Sequence, residues 1–265
     1  MHTASTKSPG SAAPAPKKSL GQHFLRNADI CRRIATLAEL QDQDRVLEIG
    51  PGPGALTKVI ETLPHETLLL LEKDSYWAGV REAEAEARTR VICMDALAFR
   101  WEDLEGPWKI MGNLPYNVAS PLIWDVAARA RAMLRAVFMI QKEVGERLCA
   151  HPGTRDYGAL SVWVQAFWQA RFEFVVRPGA FAPPPKVDSA VCSFEPKDVR
   201  PDEEQAKRLS RVIKLCFGQR RKQLGGTLRK AGQIRLLEGL EARGIALSAR
   251  AEELSVEDYL FLSAF

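Results

Sequence analysis

Apolar residues along this chain fall into short runs set between polar, turn-rich stretches. Seven runs have the length and the β-branched or aromatic content of strands: residues 45–49, 67–71, 90–93, 108–111, 136–140, 172–176 and 190–194. Between several of them the apolar positions switch to a spacing of three or four, most clearly over 55–63 and 121–131, which gives a helix one buried face. An earlier helix is expected to start at Asn27 or Asp29, either of which has a side-chain oxygen able to cap it, and to run to about residue 40. Strand–helix alternation of this kind builds an α/β fold, a mostly parallel sheet with helices on both faces. The last two runs lie close together with no helical pattern between them, so they are expected to form an antiparallel hairpin at one edge of the sheet.

The two ends of the chain differ from this middle. Residues 1–16 are rich in Ala, Ser, Pro and Gly and hold too little apolar surface to offset the entropy of ordering, which predicts a disordered tail. Residues 195–202 carry two prolines and read as a linker, and beyond them the pattern is helical only. In 206–217, Leu209, Val212, Ile213 and Cys216 share one face, while Lys207, Arg211 and Lys214 share the other. The expected division is therefore an α/β domain over 17–198 and a small helical domain over 199–265.

Composition adds few constraints. Hydrophobic residues make up 46% of the 265 and charged residues 26%, enough apolar material for a sizeable core. No apolar run approaches the ~20 residues that span a bilayer, and the start of the chain lacks the charged-then-apolar pattern of a secretory signal. The five cysteines are scattered without a CxxC pair, so neither a metal site nor a disulfide framework is expected, and reduced thiols point to the cytoplasm. With no coiled-coil heptad or conspicuous apolar patch, a monomer is expected. The net charge of +4 is unevenly spread. Residues 205–235 hold ten Lys or Arg and no Asp or Glu, among them Lys207, Arg211, Lys214, Arg220, Arg221 and Lys222. The rest of the chain is thus net acidic, and one end is built to meet a polyanion.

The candidate chemistry sits at strand ends. Residues 46–54 (VLEIGPGPG) run from an apolar strand into a glycine turn and then a helix, with Gly50 and Gly52 where a ligand would approach the backbone without a Cβ in the way. Glu72 follows at the end of the next strand, at the spacing of a carboxylate that accepts hydrogen bonds from the ribose of a nucleoside cofactor. From this loop alone a nicotinamide dinucleotide is also admissible. Asp95, after the third strand, would contact the adenine of such a cofactor or cap the segment that follows.

Asn113-Leu114-Pro115-Tyr116, directly after the fourth strand, discriminates further. It suits a reaction whose nucleophile is an exocyclic adenine amine, a poor nucleophile because its lone pair is delocalised into the ring. A carboxamide oxygen and a nearby main-chain carbonyl can accept the two amine hydrogens and stabilise the positive charge that develops on nitrogen. Pro115 stiffens the turn, and Tyr116 offers a ring on which a base can stack.

These residues resemble the KsgA-type family of small-subunit rRNA adenine dimethyltransferases, over nearly the whole chain from Lys18 onward. Carrying the resemblance are residues 19–25 (SLGQHFL), 48–54, Glu72-Lys73-Asp74, Asp95-Ala96, 112–117 (GNLPYN), 141–144 (QKEV), 181–189 (FAPPPKVDS) and 217–222 (FGQRRK). The resemblance implies a Rossmann-like class I methyltransferase sheet of seven strands with a small C-terminal helical domain, and S-adenosyl-L-methionine as cofactor. It places His23 and Leu25 at the methionine end of that cofactor with Gly50 beneath it, and Glu72 and Lys73 by the ribose. Asp95 and Ala96 fall by the adenine, and Asn113 at the boundary with the target base. Phe181 would sandwich that base opposite Tyr116. The implied partner is 16S rRNA within the small ribosomal subunit or its precursor, dimethylated on two adjacent adenosines. A large-subunit RNA or DNA target, or an assembly factor no longer dependent on catalysis, are the competing readings. Two departures stand out: His23 where relatives often carry Asn, and Gly225-Gly226 where an Asn is common, which is expected to loosen a helix start.

Overall fold

The computed structural model describes residues 22–265; the tail expected over 1–16, and everything through Gly21, lie outside them. The described chain opens with β1 (Phe24–Leu25), α1 (Ala28–Leu37), β2 (Arg45–Ile49), α2 (Thr57–Glu61), β3 (Thr67–Glu72), α3 (Ser75–Glu84) and β4 (Thr89–Cys93). It continues through β5 (Trp108–Asn113), α4 (Ala119–Arg129), β6 (Met133–Gln141), α5 (Lys142–Leu148), α6 (Ala159–Phe167), β7 (Trp168–Val176), β8 (Phe181–Ala182) and β9 (Ser189–Pro196). Four helices close it: α7 (Glu203–Phe217), α8 (Leu224–Lys230), α9 (Ile234–Ala242) and α10 (Val256–Leu262).

All seven expected strands form, in one sheet of order β4-β3-β2-β5-β6-β9-β7. Every pairing is parallel except those of β9, which runs antiparallel to both β6 and β7. The expected edge hairpin is therefore present, with its second strand inserted next to β6. Central strands are apolar on both faces because helices cover both, and in β2 the alternation splits Val46 from Leu47 and Ile49 into two apolar clusters. One cluster joins α1 and α2 to the sheet. The other joins the opposite face to α4 and α6 and continues through Leu209, Val212, Ile213 and Cys216 of α7 to Leu262 of α10.

Asn27 is the cap of α1, its Oδ1 accepting the amides of Asp29 and Ile30 at 3.0 and 3.1 Å. Replacing it with Ala would cost about 1 kcal/mol. α6 is largely buried between other helices: Trp163 stacks on Trp124 of α4 at 4.3 Å, and Ser161 and Gln165, four residues apart on one face, donate to main-chain carbonyls at the end of α5. Of the segment read as linker, Glu195 and Pro196 belong to β9. Gly225 corrects a second expectation. A Cβ there would lie 2.7 Å from the Leu247 Cβ and 2.8 Å from its carbonyl oxygen, so the glycine lets the start of α8 pack close to the 247 segment. It is a close-approach position, and its amide donates to the same Leu247 carbonyl at 2.9 Å.

Candidate active site

Sheet order reverses direction between β2 and β5: the chain builds outward through β3 and β4, then returns to the other side of β2. At such a switch point the crevice beyond the carboxyl ends of the strands stays uncovered, and ligands bind there. The pocket lies in that place. Its walls include His23, Gly50, Gly52, Glu72, Lys73, Asp95, Ala96, Asn113, Leu114, Pro115 and Tyr116, so most of the residues singled out by sequence are brought together. Residues not anticipated also line it, notably Gln22, Phe24 and Met94. Met94, an apolar residue directly before Asp95 at a strand end, carried a signal that could have been read.

Gly50 sits at φ +67°, a backbone region that other residues rarely adopt, and nothing lies within 4 Å of where its Cβ would be. The floor of the pocket is open there. Glu72 is 6% exposed, and both carboxylate oxygens already accept main-chain amides: Oε2 from Gly52 at 3.0 Å, Oε1 from Asp74 at 2.7 Å. Burial raises its pKa while those amides lower it, with burial prevailing. Each oxygen retains a further lone pair for a ligand hydroxyl. Deeper lies Glu48, 1% exposed, its Oε2 accepting the Thr57 hydroxyl at 2.7 Å. Burial pushes its pKa up to about 8 against the Thr57 hydrogen bond and the nearby Arg81 guanidinium.

Asp95 takes the capping role expected of it, and its second oxygen is held by a neighbouring cation. Its Oδ1 accepts the Leu97 amide at 3.0 Å, a local turn, while Oδ2 accepts the Lys73 ammonium at 2.6 Å on the pocket rim. Burial works to raise its pKa, but Lys73 and the Leu97 amide outweigh that and hold it below the usual range.

The Asn113 side chain has a fixed orientation. Its Nδ2 donates to the His23 main-chain oxygen at 2.9 Å, and because a carbonyl can only accept, the amide cannot be flipped. The Oδ1 remains as the acceptor. His23 therefore contributes through its backbone, while its ring Nδ1 donates to the Pro183 carbonyl at 2.9 Å. Tyr116 hydrogen-bonds Ser189 Oγ at 2.6 Å, and burial raises its pKa, keeping a neutral phenol.

Leu25 and Phe181 are placed elsewhere. They pair across β1 and β8, are 6% and 5% exposed, and belong to the apolar cluster that includes Val137, Val176 and Val191. The ring that faces Tyr116 is His23, at 5.5 Å and tilted by 30°, rather than Phe181. Burying Phe181 as part of the core beneath the site outweighs presenting it to a pocket.

The basic stretch is less uniform than its sequence. Lys207 pairs with Glu203 and Glu204 at 2.9 and 2.8 Å, and Arg220 pairs with Glu252 at 2.6 Å and donates to the Arg155 carbonyl. Of the compensating acids, Glu203 and Glu204 lie just outside the acid-free window and Glu252 well beyond it. Arg211, Lys214, Arg221 and Lys222 are exposed and carry no ion pair among the described residues.

The sequence profile of the ribosomal RNA adenine dimethylase family matches residues 15–265. Ribosomal RNA small subunit methyltransferase A of Nitratidesulfovibrio vulgaris is 53% identical over 257 residues, covering 94% of this chain and 96% of that one. The protein of that name from Lawsonia intracellularis is 47% identical over 251 residues, covering 94% and 93%. Among solved structures, a dimethyladenosine transferase from Plasmodium falciparum superposes with a TM-score of 0.77 at 25% identity, covering 91% of this chain and 96% of that one. The 23S rRNA methyltransferase ErmE superposes with a TM-score of 0.68 at 26% identity, covering 91% and 98%.

Proposed function

Since the chain belongs to the ribosomal RNA adenine dimethylase family, we propose that it dimethylates the exocyclic amines of two adjacent adenosines in a hairpin near the 3′ end of 16S rRNA, on the small ribosomal subunit or its precursor, with S-adenosyl-L-methionine as donor. The small-subunit target is favoured over a large-subunit one by the 53% identity to a small-subunit enzyme, against 26% to ErmE.

The pocket fits that donor. The open floor at Gly50 admits a ligand close to the backbone, and the Glu72 carboxylate, preset by two amides, has lone pairs left for ribose hydroxyls. Asp95, steadied by Lys73, would accept the adenine amine, with Ala96 and Met94 as apolar wall. When bound, the donor supplies a methyl group on a positively charged sulfur.

The protein's part is to aim and polarise the adenine amine. Asn113 Oδ1 accepts one amine hydrogen. The Leu114 carbonyl, which no donor engages among the described residues, accepts the other, while the Pro115 carbonyl closes the turn by taking the amides of Val118 and Ala119 at 3.1 and 3.0 Å. Both acceptors gain strength as positive charge builds on nitrogen, so they favour the transition state over the ground state. Tyr116 stacks on the base, which must be unpaired or flipped to enter. The alkylated ammonium is acidic and sheds its proton to water, so no strong general base is required.

The observation that carries this reading is the Asn113 carboxamide, held by the His23 carbonyl with its oxygen engaged by no donor among the described residues. Asn113→Ala should lower methyl transfer to small subunits lacking the modification on the order of 10²–10³-fold. Calorimetry should show affinity for S-adenosyl-L-methionine within a few-fold of wild type. A variant that methylates such subunits at the wild-type rate would defeat the mechanism, and labelled methyl appearing in large-subunit RNA instead would defeat the target.

A further inference from the structure

A second concavity opens at the ends of the strands opposite the pocket. α4 begins beside Tyr116 and Val118 and ends at Arg129, so its 11 residues carry the chain roughly 16 Å away from the pocket. β9 also leaves the pocket end, where Ser189 pairs with Gln141, and finishes at Pro196 opposite Trp168. α7 therefore starts at the strand ends away from the pocket and runs back alongside α4, with Lys214 over the ring of Trp124 at 6.0 Å. Between the end of α4 and the start of α7 lies a groove of about 860 Å³, floored in part by the buried Trp163.

The charges of this groove do not cancel. Arg129, Arg131, Arg200, Lys207 and Arg211 line it, against Glu102, Asp202 and Glu203. All three acids are already engaged: Glu102 with Arg129 at 2.7 Å, Glu203 with Lys207 at 2.9 Å, and Asp202 as the cap of α7, accepting the Gln205 amide at 2.8 Å. Arg131, Arg200 and Arg211 are left without a carboxylate in ion-pair range among the described residues. Arg131 donates to the Pro201 carbonyl at 2.5 Å, lies over the face of Phe167 at 5.6 Å and feels the charge of Asp202 without an ion pair to it. Burial and then the charge of Arg200 depress its pKa, so the two guanidinium groups repel across the groove. An anion seated between them would turn that repulsion into two attractions.

We infer that this groove binds backbone phosphates of a second segment of the RNA substrate, apart from the segment that carries the target adenosines. The inference rests on the RNA-substrate reading above. Guanidinium forks suit phosphate oxygens, and the groove is larger than one phosphate group needs. It is also continuous with a route for a strand. Arg211 and Lys214 lie along α7 between the groove and the 220–222 turn, so cations without an ion pair among the described residues line the length of that helix. A polyanion following α7 from the pocket face reaches the groove last.

The test compares wild type with Arg131→Gln/Arg200→Gln and with Arg200→Glu, binding to small-subunit particles lacking the modification across a salt series. Arg200 has no intramolecular partner among the described residues, so its replacement leaves folding intact. The double variant should lower the slope of log affinity against log salt by about two and weaken binding about 10-fold near 0.1 M salt. Arg200→Glu should weaken it further. The melting temperature of Arg200→Glu and the S-adenosyl-L-methionine affinity of both variants should not move, and a short hairpin carrying only the two adenosines should bind all three proteins equally. An unchanged slope on particles overturns the inference. So does an equal loss on the short hairpin, which would put the groove on the target segment, or competition by inorganic phosphate without any change of slope, which would make it a free-anion site. Preferential loss of an acidic polypeptide instead of RNA overturns it too. Failure of wild type to bind or methylate the particles would sink the substrate reading itself, whereas normal wild-type activity with unaltered variants would sink the groove alone.

Discussion

The pocket at the ends of β2, β3 and β5 and the basic face of α7 are both polar, and they are built on opposite plans. In the pocket, the two central polar groups are held by the main chain: Glu72 by the amides of Gly52 and Asp74, Asn113 by the carbonyl of His23. Such groups lose little freedom on meeting a ligand, and their direction is set before it arrives. On α7 the cations stand on long flexible stems, some neutralised by neighbouring acids and some not. That face sets charge density and leaves direction loose, which suits a phosphate chain that presents the same group at every step. Reaction selectivity belongs to the first plan and affinity to the second.

The comparison can be broken at several points. After the loss expected of Asn113→Ala, the largest effect should come from Glu72→Ala, which removes an acceptor from two amides and from the ribose together. Affinity for S-adenosyl-L-methionine should fall about 10–100-fold by calorimetry, with RNA binding unchanged. Equal losses for both ligands would mean that the pocket and the basic face are not separable. Next, Arg221→Gln/Lys222→Gln should reduce the salt slope of RNA binding by about two, while Lys207→Gln, already paired with Glu203 and Glu204, should leave it nearly unchanged. If the Lys207 variant loses as much slope as the pair, spatial pairing does not predict which cations are available.

The smallest effect concerns Glu48. Its folded pKa of about 8 lies above the ordinary 4.5, so the folded state binds more protons than the unfolded one through that interval. The stability associated with the neutral carboxyl is complete below about pH 4.5 and is lost as pH rises towards 8. Glu48→Gln, able to keep the Thr57 contact, should flatten that decline in melting temperature. Parallel pH profiles for the two proteins would show that Glu48 ionises normally.

The sheet was legible because a central parallel strand must be apolar on both faces, and β2, β3 and β5 could be nothing else. β6 and β7 began earlier than expected, since Arg135 and Arg171 interrupt their apolar runs and are satisfied by Glu195. α6 escaped notice for the opposite reason: its polar stripe is only Ser161 and Gln165 in an otherwise apolar helix. In the site, residue type located Glu72 and Asn113 because their chemistry is tied to strand ends. It could not foresee the burial of Phe181 and Leu25, since an aromatic or a leucine next to a loop suits a base platform and a core equally, and only the β1–β8 pairing shows where they lie. The basic stretch was over-read because acids far along the chain, such as Glu252, are invisible to a window.

The bond from Asn113 to residue 23, and the two-residue ladder that ties residues 24–25 to 181–182, have a consequence for synthesis. The strand-end turn that contains Asn113 emerges from the ribosome long before the partner that clamps its N-terminal strap. A nascent chain released short of residue 182 would hold nearly all of the glycine loop and the acidic groups, yet leave the carbonyl that orients the carboxamide untethered. Competence should therefore switch on late in elongation, as a step rather than a ramp.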